Sequence, residues 1–163
     1  MKTKISPFLW FDTQAEEAAN FYCSVFPNSK VGTISRYTEA GQEHHQRPPG
    51  SVMVVSFELD GQKFTALNGG PSFQFSCAIS FVVECDTQEE IDYYWDKLGA
   101  GGAPEAKQCG WLADRFGLSW QIVPSKVEQW FADSQSAGAQ RAMAAMMSMK
   151  KLDIAALQAA YDG

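Results

Sequence analysis

The chain has 163 residues, 45% hydrophobic and 20% charged, with a formal net charge of −6. That length is enough for one sizeable domain or two small modules sharing a core, and the balance is that of a folded, globular protein. The acidic charge excludes nucleic acid as a main partner, because phosphate contacts need clustered Lys and Arg. No apolar run approaches the roughly 20 residues of a membrane span.

Taken in chain order, residues 5–11 read as a strand. Residues 13–26 read as a helix, with Ala15, Ala18, Ala19, Tyr22 and Val25 at helical spacing and Pro27-Asn28-Ser29 as its stop. Residues 30–38 alternate as a strand. A polar loop follows over 39–50 and carries both histidines, His44 and His45. Residues 51–59 form the clearest strand, and Asp60-Gly61 predicts a tight hairpin to a partner at 62–68. The first module is therefore β-α-β-β-β over 1–69, and Gly69-Gly70-Pro71-Ser72 opens a linker over 70–77.

The second module, 78–124, begins the same way. Asp12-Thr13-Gln14 returns as Asp86-Thr87-Gln88, and Glu16-Glu17 as Glu89-Glu90 after one skipped residue. Each copy follows an apolar run and contains Thr-x-x-Glu, the capping-box spacing (Thr13/Glu16 and Thr87/Glu90). Strand 78–85 leads to helix 87–98, which a glycine-rich stretch closes. Strands at 107–115 and 117–123 turn at Phe116-Gly117, giving a shortened strand set. Three short helices follow over 125–163, with Val127, Trp130 and Phe131 as one stripe and Ala139, Ala142, Met143, Met146 and Met147 as another.

The four cysteines, Cys23, Cys77, Cys85 and Cys109, contain no C-x-x-C pair, so no zinc or redox motif is indicated. They read as free thiols of a reducing compartment. The N-terminus lacks the apolar region of a signal peptide, and a cytoplasmic location is expected.

Several strings resemble one family: Leu9-Trp10-Phe11-Asp12, Ala66-Leu67-Asn68-Gly69-Gly70-Pro71, Asp92-Tyr93-Tyr94-Trp95-Asp96-Lys97-Leu98 and the long run from Cys109 to Pro124. The chain resembles the PhnB-like branch of the vicinal-oxygen-chelate superfamily, the glyoxalase/bleomycin-resistance/dioxygenase fold. Members of that branch are often labelled 3-demethylubiquinone-9 3-methyltransferase domains. The resemblance implies an α+β fold of two repeated β-α-β-β-β modules forming a curved, cupped mixed sheet, with C-terminal helices added. It also implies a cleft between modules and a homodimer. The superfamily's divalent metal takes ligands from the first and last strands of each module, here matched to Pro7, Thr65, Ala78 and Gln121. Pro and Ala cannot ligate through their side chains, so no metal is expected.

Ligand-binding candidates are Asn68 and Gln121, whose amides can orient a neutral molecule, and Trp10 and Trp111, which can stack a flat one. Cys109, beside a glycine at a strand start, is the catalytic candidate. Glu84 and Asp114 read as acidic residues near strand ends, more often solvated than catalytic. His44-His45 reads as a solvated loop, with a mobile lid as the functional alternative. No cofactor is expected: methyl transfer from S-adenosylmethionine commonly uses a glycine-rich loop after a first strand, and the first strand here runs into Asp12-Thr13-Gln14. Three readings follow. One is a small-molecule-binding protein for an apolar or aromatic ligand. The second is an enzyme of the superfamily (lyase, isomerase or quinone-related transferase) using Gln121, Asn68 and Cys109. The third is a structural dimer.

Overall fold

The computed structural model describes residues 4–163. Met1 to Thr3, part of the reading of the N-terminus, lie outside the described residues. The chain divides into two compact units, the boundary falling between Phe75 and Ser76.

The first unit runs β1 (Phe8–Phe11), α1 (Ala15–Val25), β2 (Lys30–Arg36), a single turn α2 (Gln42–His45) inside the predicted loop, β3 (Val52–Leu59) and β4 (Gln62–Asn68). The sheet order is β1-β4-β3-β2, with β1 parallel to β4 and the rest antiparallel. Asp60 and Gly61 both sit at positive φ, 45° and 77°, as the predicted two-residue hairpin requires. Strand alternation sends Leu9, Phe11, Phe57, Phe64 and Ala66 to one face, where all are buried. α1 packs on that face through Ala15, Ala18, Ala19, Tyr22 and Val25. Its three alanines let the helix backbone come close to the sheet, and Tyr22 stacks on Phe57. Each large side chain buried this way contributes roughly 1.5–3 kcal/mol.

The second unit runs β5 (Phe81–Cys85), α3 (Gln88–Gly99), β6 (Trp111–Ala113) and β7 (Ser119–Pro124), then α4 (Val127–Phe131), α5 (Ala137–Met147) and α6 (Ile154–Asp162). Its sheet order is β5-β7-β6, with β5 parallel to β7. This is the first unit's β1-β4-β3 arrangement again. Among the described residues β2 has no counterpart: between α3 and β6 the chain makes only a short 3-10 turn at Pro104–Ala106. The duplication is real, and its second copy is one strand short. The predicted strand 107–115 shrinks to Trp111–Ala113 because Cys109 and Gly110 both take positive φ and turn the chain.

The two helix starts also differ. Thr87 and Glu90 form the full capping box on α3. On α1 the expected box at Thr13/Glu16 is absent: the N-cap is Gln14, with no side-chain bond. The one skipped residue moves the helix start past Thr13. Asn68 takes over, its Oδ1 accepting from Ala15 N at 2.8 Å.

The last three helices belong to the second unit. Trp130, Leu152 and Leu157 form a small core there, flanked by Val123, Val127, Phe131 and Met146. Gln88 fastens it to α3, donating to Leu152 O at 3.1 Å and accepting from Ile154 N at 2.9 Å. Lys151 adds an ion pair to Asp92 at 2.6 Å, which lowers the Asp92 pKa through that hydrogen bond. No described helix is long and apolar enough to cross a membrane.

Candidate functional site

The second unit holds a cavity of about 690 Å³, within the range of small-molecule sites. Its floor is one face of the β6–β7 pair. Register places Trp111 opposite Gln121, hence on the same face, with Ser119 and Val123 alternating along β7. Trp120 and Ile122 point to the other face and are buried, and α3 packs against β7. Val127 and Phe131 from α4, with Met146 and Met147 from α5, complete the walls; Cys77, Gln108 and Cys109 also line the space. No Asp, Glu, His, Lys or Arg lines it.

Gln108 to Trp111 close a tight turn, with Trp111 N donating to Gln108 O at 2.8 Å. The central residues Cys109 (φ 51°) and Gly110 (φ 82°) are both left-handed, as in a type I′ turn. Such positions favour Asn, Asp or Gly, so cysteine at the first costs stability. The turn is tied down from outside: Cys109 N donates to Met149 O at 2.9 Å and Gly110 N to Lys150 O at 2.8 Å. A side chain at Gly110 would meet Ile122 O at 2.9 Å, so the close approach needs glycine. The turn sets Cys109 Sγ 3.8 Å from Met147 Sδ. Gln108 Nε2 donates to Met147 O at 2.9 Å and reaches Cys109 Sγ at 3.6 Å. Gln121 Nε2 donates to Ser80 Oγ at 2.9 Å, which fixes the amide and turns its carbonyl oxygen into the available acceptor.

Asp114 organises the β6–β7 hairpin from inside. It is 2% exposed. Its Oδ1 accepts from Phe116 N at 2.8 Å and Leu118 N at 3.1 Å, and its Oδ2 from Trp120 Nε1 at 2.9 Å. The expectation of a solvated acid is thereby corrected. The signal was present in Asp114-x-x-Gly117, Asp at the first and Gly at the fourth position of a turn.

The candidates therefore separate. Gln121, Trp111 and Cys109 share the cavity of the second unit. Asn68 and Trp10 belong to the first unit. Asn68 is 7% exposed. Besides capping α1 it donates to Val52 O at 3.1 Å, so its amide is engaged by the backbone, and it lines a separate cavity of about 370 Å³ in the first unit. Trp10 donates from Nε1 to Gly70 O at 2.8 Å, lies over Gly69 and meets Phe73 edge-on, so its ring is engaged by the segment after β4. His45 packs on Tyr37, and Glu84 is exposed. Met147, Phe131 and Cys77 are cavity residues that the strand-based reading missed, because the helix and loop that bring them lie outside the strand repeat.

The family metal is tested by the register. Phe8 pairs with Thr65, and Val82 with Gln121, at the same offset as the sequence repeat. Pro7 precedes β1 and Ala78 lies in a turn, so Phe8 and Val82, not Pro7 and Ala78, stand beside the last-strand positions. Two hydrocarbon side chains, a hydroxyl and an amide do not make a divalent donor set, and the residues do not fit the group. Among the described residues no cluster of three His, Cys, Asp or Glu exists. Burial first, then Glu90 and Asp86, push the Cys85 thiol up to about 12. Burial also raises the Cys23 thiol.

The family model described as 3-demethylubiquinone-9 3-methyltransferase matches residues 3–123. Among solved structures, the PhnB protein of Bacillus cereus, which carries the same methyltransferase description as a provisional one, is 39% identical, with a TM-score of 0.64, over 76% of this chain and 100% of that one. Protein PA1353 from Pseudomonas aeruginosa is 18% identical, with a TM-score of 0.56, over 76% and 98% of the two chains, and shares the fold. A glyoxylase/bleomycin resistance protein/dioxygenase domain from Frankia also matches, at 12% identity and a TM-score of 0.42, over 76% and 93%. No curated protein matches. The matched region 3–123 ends before α4, so the helices walling the cavity lie outside it. The chain belongs to the 3-demethylubiquinone-9 3-methyltransferase family, and the PhnB protein is similar to it over that protein's whole length.

Proposed function

We propose that this chain is a small-molecule-binding protein, and that the cavity on β6–β7 takes a neutral, flat, largely apolar molecule. The observation that carries this is the lining. An indole, a phenyl ring and two thioethers surround the space without one charged group, and two anchored amides, Gln108 and Gln121, stand among them. Trp111 and Phe131 would hold an aromatic ring, and Gln121 would accept one hydrogen bond from it. Binding without turnover fits the donor-poor metal positions and a first strand that enters Asp12-Thr13-Gln14 rather than a glycine-rich phosphate turn. Four free cysteines accord with a cytoplasmic location.

The test is a thermal-shift screen of neutral aromatic and hydroxylated aromatic compounds, followed by tryptophan-quenching titrations. Trp111→Ala should weaken a hit at least tenfold. Gln121→Ala should cost about 1 kcal/mol, roughly fivefold. Equal affinity in both variants and the parent overturns the site. The same reading includes a homodimer, because Phe8 and Val82 expose 61% and 54% of their surface and pairing would cover such residues. A monomer by light scattering at micromolar concentration refutes that part.

A further inference from the structure

Four sulfur-bearing side chains of the second unit line one cavity. Cys77, Cys109, Met146 and Met147 all line it, on a turn before β5, a turn before β6 and the last turn of α5. Two of them are in contact, Cys109 Sγ to Met147 Sδ at 3.8 Å. Two sulfurs each about 2.3 Å from one ion lie about 3.8 Å apart when the arrangement is tetrahedral and about 4.0 Å when it is trigonal. The backbone bonds of 109–110 to 149–150, and of Gln108 to Met147 O, hold the two atoms at that separation. We propose that Cys109, Met147 and Cys77 form a binding site for one monovalent copper ion.

The ion type follows from the donors and the surroundings. Thiolate and thioether are soft ligands and select Cu(I); a thioether is a poor donor to Zn²⁺, Mg²⁺ or Ca²⁺. No His, Asp or Glu lines the cavity. With two thiolates the Cu(I) site carries one net negative charge, which needs contact with water. The second thiolate, Cys77, is exposed, so its charge would stay in contact with water. Gln108 Nε2, 3.6 Å from Cys109 Sγ, can donate to the bound thiolate. Binding releases the thiol protons to solvent and involves no change of oxidation state. The site concerns an ion at sulfur, not the small molecule proposed above, and neither depends on the other.

The experiment is an anaerobic titration of the reduced full chain with Cu(I) against bicinchoninate, a chromophoric Cu(I) chelator. The parent should withdraw one equivalent. Cys109→Ser, Met147→Leu and Cys77→Ser should each lower the affinity at least tenfold, and Cys23→Ser should leave it unchanged. X-ray absorption of the copper-loaded parent, which does not depend on any variant folding, should show about three sulfur neighbours near 2.3 Å. Parent-like affinity in Met147→Leu, an equal loss in Cys23→Ser, or nitrogen and oxygen neighbours alone would overturn the proposal.

Discussion

Asp114→Asn changes one oxygen into an NH₂ group and leaves the shape alone, yet it should be among the most damaging substitutions in the chain. Three groups that Asp114 serves are donors: two backbone N–H groups at Oδ1 and the Trp120 indole at Oδ2. Asparagine has one acceptor oxygen. Facing the backbone, it turns its NH₂ toward the indole N–H; flipped, it turns NH₂ toward two backbone donors. Either way at least one buried donor loses its partner, at about 1–3 kcal/mol each, and the remaining bonds lose the extra strength of a charged acceptor. The expected loss is about 2–4 kcal/mol. With a urea m-value of about 2 kcal/mol per molar, the midpoint should fall by about 1–2 M. The assay is urea unfolding followed by tryptophan fluorescence and far-UV circular dichroism, with the exposed Glu84→Gln as a control that should not move. Because the same hairpin carries Trp111 and Gln121, cavity ligands should also bind less well to folded Asp114→Asn. A midpoint within about 0.2 M of the parent would refute the donor argument.

Asn68→Ala should cost about 1–2 kcal/mol by uncapping α1, measured as a lower urea midpoint, while affinity at the β6–β7 cavity stays at the parental value; a large loss of affinity would return Asn68 to the site. Gly102→Ala would place a Cβ 1.9 Å from Ala113 O, so the second unit should lose about 3 kcal/mol as the backbone shifts, read by amide exchange confined to residues after 76; unchanged exchange would contradict the packing. Cys85, with its thiol held up to about 12 in the fold against 9.0 for an unperturbed thiol, keeps its proton in the native state when the unfolded chain has lost it. Its contribution is fully present below pH 9 and declines as pH rises toward 12, by up to about 1.4 kcal/mol per pH unit. Cys85→Ala should therefore flatten the fall of stability between pH 9 and 11, and an identical slope in the two proteins would rule this out.

Local chemistry made much of the fold legible. The Asp60-Gly61 hairpin, the Thr87 capping box and the repeat at 12 and 86 each rest on a few neighbouring residues, and all three map onto structure. The misreadings share a different cause. Thr13 loses its capping role because helix phase, shifted by one residue, hands the job to Asn68 on a strand far along the chain. Asp114 was read as solvated because those three donors become inward neighbours only when the hairpin closes. Gln121 was singled out by its match to the family's last-strand position and Trp111 as an aromatic on a predicted strand, whereas Met147 and Phe131 meet them only through tertiary packing.

The divergence of the two copies is what gives the second unit its cavity. In the first unit β2 pairs with β3 and extends the sheet to four strands. In the second that strand is lost, and residues 100–110 cross the gap as irregular chain ending in the Cys109-Gly110 turn. A three-stranded sheet with one face on α3 still has a second face to cover. α4 and α5 approach that face with Val127, Phe131, Met146 and Met147, flexible or flat side chains that leave space between helix and strand. The segment at 149–152 then holds the turn in place through Cys109 N and Gly110 N. Unmatched by the family model, the C-terminal helices are thus what turns a common sheet face into a walled pocket. Shortening α5 at Met146 and Met147 to alanine would open that pocket without touching a single strand residue, and ligand affinity should fall while the β6–β7 pairing, read by amide exchange at Trp111 and Gln121, is retained.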